Sequence, residues 1–223
     1  MVLDFFKSSG HSAIEEVEST LVQMVKDSYQ VYDGAMEALF GGGKSKATKK
    51  ELRSTDRGIN LAEQEVRRML MLHVSIHESV DLPLVLVYMS IVKDVERIGD
   101  YAKNIYDLVR YGADFSEAPD REELERYRGA VGQLITDAAD VFSQRDTEAA
   151  QKLISKADGF LDEYDAHVKA TFRFDGAPAD AVARALYYRF LKRITAHIMN
   201  FLTGLVMPVD RLDYYDEPKE DRA

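Results

Sequence analysis

Apolar residues recur at three- and four-residue steps over long stretches of this chain, and that period commits it to helices. In the first stretch Ile14, Val17, Leu21, Met24, Val25, Tyr32, Met36 and Leu39 fall mostly on one face. Ser12 with Glu15 fits a capping box, which would start the helix, and Gly41-Gly42-Gly43 would stop it. Thr48 with Glu51 offers a second capping box, and the helix after it carries Leu52, Ile59, Val66, Met69 and Leu70 to about His77. Asp81 can cap a third helix, with Pro83 in its first turn, where a missing N–H costs little. That helix holds the apolar run Leu84 to Val92, then an acidic segment, and Gly112 ends it.

Residues 112–119 read as a linker, and after it the pattern starts again. A fourth helix is expected over roughly 119–143 and a fifth over roughly 146–172. Gly176 and Pro178 mark a turn, and a sixth helix runs from about Ala179 to Met207 before Pro208. Helices of about 25–30 residues are about 40–45 Å long, and short connections favour antiparallel neighbours. The expected architecture is all-α, with two tandem three-helix bundles over 1–112 and 119–210 and an acidic tail over 211–223. The halves resemble each other. Glu96-Arg97-Ile98 to Asn104, near the end of the third helix, aligns without gaps on Lys192-Arg193-Ile194 to Asn200, near the end of the sixth. Asp56 and Asn60 match Asp158 and Asp162 in the second and fifth helices, so a duplicated three-helix unit explains the pattern.

Composition removes several function classes. There is no cysteine, so disulfides, thiolate metal sites and a cysteine nucleophile are excluded. A formal net charge of −10 argues against a nucleic-acid partner. The cluster Lys44, Lys46, Lys49 and Lys50 reads as a solvated loop and helix start. Gly43-Lys44-Ser45 is no phosphate-binding loop, because Ala38 stands where the earlier glycine is required and a helix precedes it. The opening residues lack the pattern of a signal peptide. The uncharged run Leu82 to Val92 is shorter than the about 20 residues a membrane span needs, so a cytosolic chain is expected. Val2, Leu3, Phe5 and Phe6 would pack on their own bundle, with contact to a partner or membrane as the alternative.

Glu96 and Asp100 lie one turn apart on one helix face, and Asn104 extends that face. Such carboxylates can ligate a hard cation, act as acid and base, or form a solvated surface ion-paired to Arg97 and Lys103. Asp56 and Asn60 add an oxygen-bearing pair on the neighbouring helix, which meets the first if the helices pack antiparallel. No nucleophile–base–orienter set is visible, so an enzyme is not expected. His73 and His77 read as a helix-end polar cluster, since Asp81 stands three residues after Glu78 where a zinc-protease motif needs histidine. No histidine has a glutamate three residues before it, which disfavours a ferritin-like di-iron bundle.

The segment Val92-Lys93-Asp94-Val95-Glu96-Arg97-Ile98-Gly99-Asp100-Tyr101-Ala102-Lys103-Asn104-Ile105 resembles the signature of the PhoU family. The similarity reaches back through Asp56-Arg57-Gly58-Ile59-Asn60 and Val66-Arg67-Arg68. The resemblance implies two three-helix bundles and an accessory, negative-regulatory role in phosphate uptake. It implies contact with a membrane phosphate transporter or its phosphate-sensing histidine kinase, with membrane association through that partner; a homodimer is compatible with it. It also implies iron or another divalent metal on paired acids. Glu96, Asp100 and Asp56 match those positions; Asn60, Asn104, Asp158 and Asp162 are secondary candidates. Asn60 replaces an acid, and Lys192 and Ala196 replace the acid pair of the sixth helix, so any metal is expected on the first half, with Lys192 neutralising Asp158 or Asp162. Two alternatives stay open: a metal-binding helical protein without a transport role, and a helical dimerisation scaffold.

Overall fold

The computed structural model describes residues 9–77 and 81–212. Val2, Leu3, Phe5 and Phe6, Glu78, and the tail from residue 213 lie outside the described residues. Six long helices follow one another: α1 (Ser9–Glu37), α2 (Lys46–Ile76), α3 (Leu82–Arg110), α4 (Arg121–Gln144), α5 (Thr147–Thr171) and α6 (Pro178–Val206). The expected helix count, order and all-α class hold among the described residues.

The helix starts differ from expectation at two places. Ser12, expected at the start of α1, already lies within the helical span that is described from Ser9. α2 is capped by Ser45, whose side chain accepts from the Ala47 and Thr48 amides, so Thr48 is already in the first turn. Either hydroxyl can cap, and the one nearer the glycine turn does so. Asp81 caps α3 as expected, its carboxylate accepting from the Leu84 amide. The chain leaves α1 through a π turn, Ala38–Gly42, in which Gly41 takes φ +130°, a backbone region open to glycine and few others.

α1 packs on α2, α3 and α4, while α5 packs along α6 and α3 along α6. α3 and α6 run antiparallel: Tyr101 meets Arg193, Asp94 meets Asn200, and Ile91 lies against Gly204. One continuous core therefore joins both helix triplets, with Val95, Ile98 and Ile105 of α3 and Ile194, Ile198 and Phe201 of α6 buried in it. Residues 112–119, read as a linker, are anchored in that core. Phe115 is buried, its amide donates to Leu39 O at 2.8 Å, and its ring meets Phe40 and Tyr187 edge-on. Just beyond, Asp120 accepts two bonds, at 2.8 and 2.6 Å, from the buried Arg184 of α6.

Gly99 explains how α1, α2 and α3 approach so closely. A Cβ there would stand 2.9 Å from Ile59 Cδ1 of α2 and 3.4 Å from Ser28 Oγ of α1. This contact fixes the relative height of α2 and α3, and with it which polar side chains face each other beside the seam.

Candidate functional site

Along α2, Leu52, Ile59, Val66 and Leu70 point into the core. Asp56 and Glu63 are two turns apart and flank that stripe, so both stand at the α2–α3 seam. Glu96, Asp100 and Lys103 flank the matching stripe of α3. The expected meeting of Asp56 with the Glu96–Asp100 pair is thus realised around one cation. Lys103 Nζ donates to Asp56 Oδ1 and to Asp100 Oδ1, both at 2.8 Å. Arg97 Nη1 donates to Asp100 Oδ2 at 3.2 Å, and its Nε lies 3.6 Å from Glu96 Oε2.

The four acids have side chains between 14% and 26% exposed, so their mutual repulsion is only partly screened by water. Burial, then the Asp100 charge and Glu63 beyond it, push the Glu96 carboxyl up to about 7, with Arg97 opposing. A shared proton between Glu96 and Asp100 acts in the same direction. Lys103 moves upward because Asp100 and Asp56 outweigh the cost of burying its charge. Asn60 and Asn104 are half-buried on the same two helices.

Whether a metal fits can be judged from the donors. Among the described residues no group of three or more carboxylates or histidines is gathered closely enough to hold a metal ion. The Lys103 ammonium stands where a cation bridging Asp56 and Asp100 would stand. As folded, the donor set does not fit a metal unless Lys103 leaves.

The second half carries the charge-swapped version of this seam. Counting from the matched pair Asp56 and Asp158, Glu63 falls opposite Asp165; Glu96 falls opposite Lys192. Two acids oppose each other in the first half. In the second, Lys192 Nζ donates to Asp165 Oδ2 at 2.5 Å. Lys192 thus pairs with Asp165, an acid the sequence reading did not single out; Asp158 and Asp162, the partners expected there, stand two turns and one turn earlier on α5. Asp158 is half-buried and Asp162 exposed, both on α5. The sequence reading missed Glu63 and Asp165; their spacing of two turns from Asp56 and Asp158 was the available signal.

At the end of α2, His73 and His77 lie ring to ring at 4.6 Å, with His77 Nδ1 3.0 Å from His73 O. Burial and the neighbouring imidazole lower the His73 pKa. This is the expected helix-end polar cluster.

The family model of the PhoU domain matches residues 21–109, which contain the whole α2–α3 seam. Over 182 residues the chain is 25% identical to a phosphate-specific transport system accessory protein PhoU homolog of Aquifex aeolicus, covering 81% of each chain. It is 27% identical over 203 residues to the protein of the same description from Synechocystis sp., covering 87% of this chain and 88% of that one. The crystal structure of the phosphate transport system regulatory protein PhoU from Streptococcus pneumoniae superposes with a TM-score of 0.77 at 19% identity, over 92% of this chain and 96% of that one. PhoU from Pseudomonas aeruginosa superposes with a TM-score of 0.76 at 22% identity, over 91% and 97%. The two structures establish the likeness of fold.

Proposed function

We propose that this chain, whose residues 21–109 match the PhoU domain model, is a PhoU-type accessory regulator of phosphate uptake, acting at the cytoplasmic face of the membrane by contact with a phosphate transporter or its sensor kinase. One observation carries the reading: relatives named as accessory proteins of phosphate-specific transport align over four-fifths or more of both chains. The chemistry is consistent with a contact protein. The polar groups of the α2–α3 seam are spent on one another, and no described helix is long and apolar enough to cross a membrane. Access to the membrane would then run through the partner.

The test is phosphate uptake in cells of the source organism with and without this chain. In phosphate-replete medium, cells lacking it should keep transporting phosphate or keep transporter expression high. Normal shut-down in its absence would refute the reading. Iron or another divalent metal enters the proposal only as a competitor of Lys103 for Asp56 and Asp100, with Glu96 alongside. Elemental analysis of the purified protein, beside a Glu96→Ala/Asp100→Ala variant, tests that part separately.

A further inference from the structure

α3 and α6 are the matched helices of the two halves, and where they cross they enclose a cleft of about 440 Å³. Lys93, Arg97 and Arg193 stand around it, with Asp94, Tyr101 and His197. Arg97 and Arg193 are the two copies of one repeat position, as are Tyr101 and His197, whose rings stack at 5.7 Å. Lys93, Arg97 and Arg193 share this lining with one carboxylate, Asp94, in a chain whose net charge is −10, and Arg97 also pairs outward with Asp100 and Glu96.

One oxygen of the carboxylate is engaged by neighbours other than these cations. Asp94 Oδ1 lies 2.8 Å from His197 Nδ1 and accepts from Asn200 Nδ2 at 3.3 Å. Arg193 Nη2 lies 3.3 Å from His197 Nε2, which accepts in the tautomer that donates from Nδ1 to Asp94. Arg193 Nε donates to the Tyr101 hydroxyl at 3.3 Å. Those bonds hold the guanidinium at the cleft by its edge, with Tyr101 beneath it at 5.6 Å from ring centroid to Cζ. A guanidinium held in place loses little further freedom on binding, which favours recognition by its fork.

The geometry points to a binding site for a phosphate-type oxyanion in this cleft, held by Arg193, Arg97 and Lys93, with the Ser90 hydroxyl at the rim. Arginine forks match the oxygen spacing of phosphate and carboxylate alike. Three cations favour a dianion over a monoanion. At about 30 Å³ per water, the cleft has room for roughly fifteen waters, enough for inorganic phosphate with hydration or for a small phosphate monoester. The inference stands on the charges of the cleft and not on the transport reading. Phosphate binding in vitro and control of uptake in cells are separate measurements, so either can fail alone.

The experiment is isothermal titration calorimetry of the full chain at low ionic strength, with inorganic phosphate, glycerol 3-phosphate and acetate as probes. Saturable one-site binding of inorganic phosphate, or of the ester alone, supports the site and identifies the free ion or an ester as its source. Lys93→Gln and Arg193→Gln should each weaken binding by about tenfold, which is about 1.4 kcal/mol. Lys93 is exposed, so its replacement leaves the core intact. Lys152→Gln, on the exposed face of α5, should bind as the wild type does. No saturable heat with either phosphate probe, acetate binding as tightly as phosphate, or Lys93→Gln and Arg193→Gln within twofold of wild type would each overturn the proposal.

Discussion

Glu96→Gln should stabilise the protein at alkaline pH and leave it unchanged at acid pH. In the native state the Glu96 carboxyl sits at about 7, against an ordinary value of 4.5, because burial, Asp100 and Glu63 all disfavour its charge. Between those values the folded chain holds a proton that the unfolded chain has released. Stability therefore falls as pH rises through that window, and the loss is complete above 7. The full shift corresponds to about 3 kcal/mol as an upper bound. Asp100 and Arg97 are partly solvated, which screens the interaction, so a realised cost of about 1–2 kcal/mol is expected. Glutamine reproduces the protonated carboxyl in charge and shape, and its amide can still donate to Asp100. At pH 8 the variant should melt roughly 2–8 °C above wild type, given about 2–4 °C per kcal/mol for a chain of this size. Below about pH 4, under the unfolded value, the two should melt together. Melting curves followed by circular dichroism at both pH values decide it. A variant equally shifted at both pH values, or less stable than wild type at pH 8, would refute the like-charge account of this seam.

Lys103→Met removes the cation between Asp56 and Asp100 and should cost roughly 1–2 kcal/mol in EDTA, most of it recovered in millimolar Mn²⁺. Melts with and without the metal check this, and identical melting temperatures for the variant would refute it. Gly99→Ala sets a Cβ against Ile59 Cδ1 and should lose roughly 0–2 kcal/mol net, overpacking offset by helix propensity. Ile59→Val deletes that same methyl, so the double variant should be more stable than the sum of the singles in urea titrations. Asp120→Asn leaves the buried Arg184 guanidinium without its anion and should cost about 2–3 kcal/mol at neutral pH. Arg184 holds the Asp120 carboxyl below its ordinary range. The stabilisation is thus present above that range and lost as pH falls through the depressed value, so variant and wild type should converge in strong acid.

The helices were legible in the sequence because each carries its own apolar stripe, and a stripe is a local property. Asp81 was legible as a cap for the same reason. Ser45 was not, because Ser45 and Thr48 offer the same chemistry within one turn and the backbone path out of Gly43 decides between them. Phe115 was missed because its neighbours Gly112 and Pro119 signal a loop, and only the assembled core shows that the ring fills a gap between Phe40 and Tyr187. At the candidate site, the spacing of Glu96 and Asp100 was visible, and so were their ion pairs with Arg97 and Lys103. Which acid faces Lys192, and that Asp94 faces His197, depend on the sliding of one helix along another. Close contacts such as Gly99 on Ile59 and Gly204 on Ile91 set that sliding, and no single segment encodes it.

At the outer seams the positions matched between the two helix triplets differ in charge: Glu96 against Lys192, Asp100 against Ala196. Each seam is satisfied within its own half, by Lys103 in one and by Asp165 in the other, so a charge change needs compensation only locally. At the α3–α6 crossing the constraint is different. There Arg97 and Arg193, and Tyr101 and His197, border one shared cleft, and a change in either half alters the surroundings of the other. The arginine is retained in both copies at that crossing. Arg97 also reaches out of the cleft to Asp100 and Glu96, which makes it the one described side chain that both lines the cleft and pairs with the acids of the α2–α3 seam. An anion that draws Arg97 into the cleft must leave those acids more strongly negative. By reciprocity a cation bound among the acids must release Arg97 toward the anion.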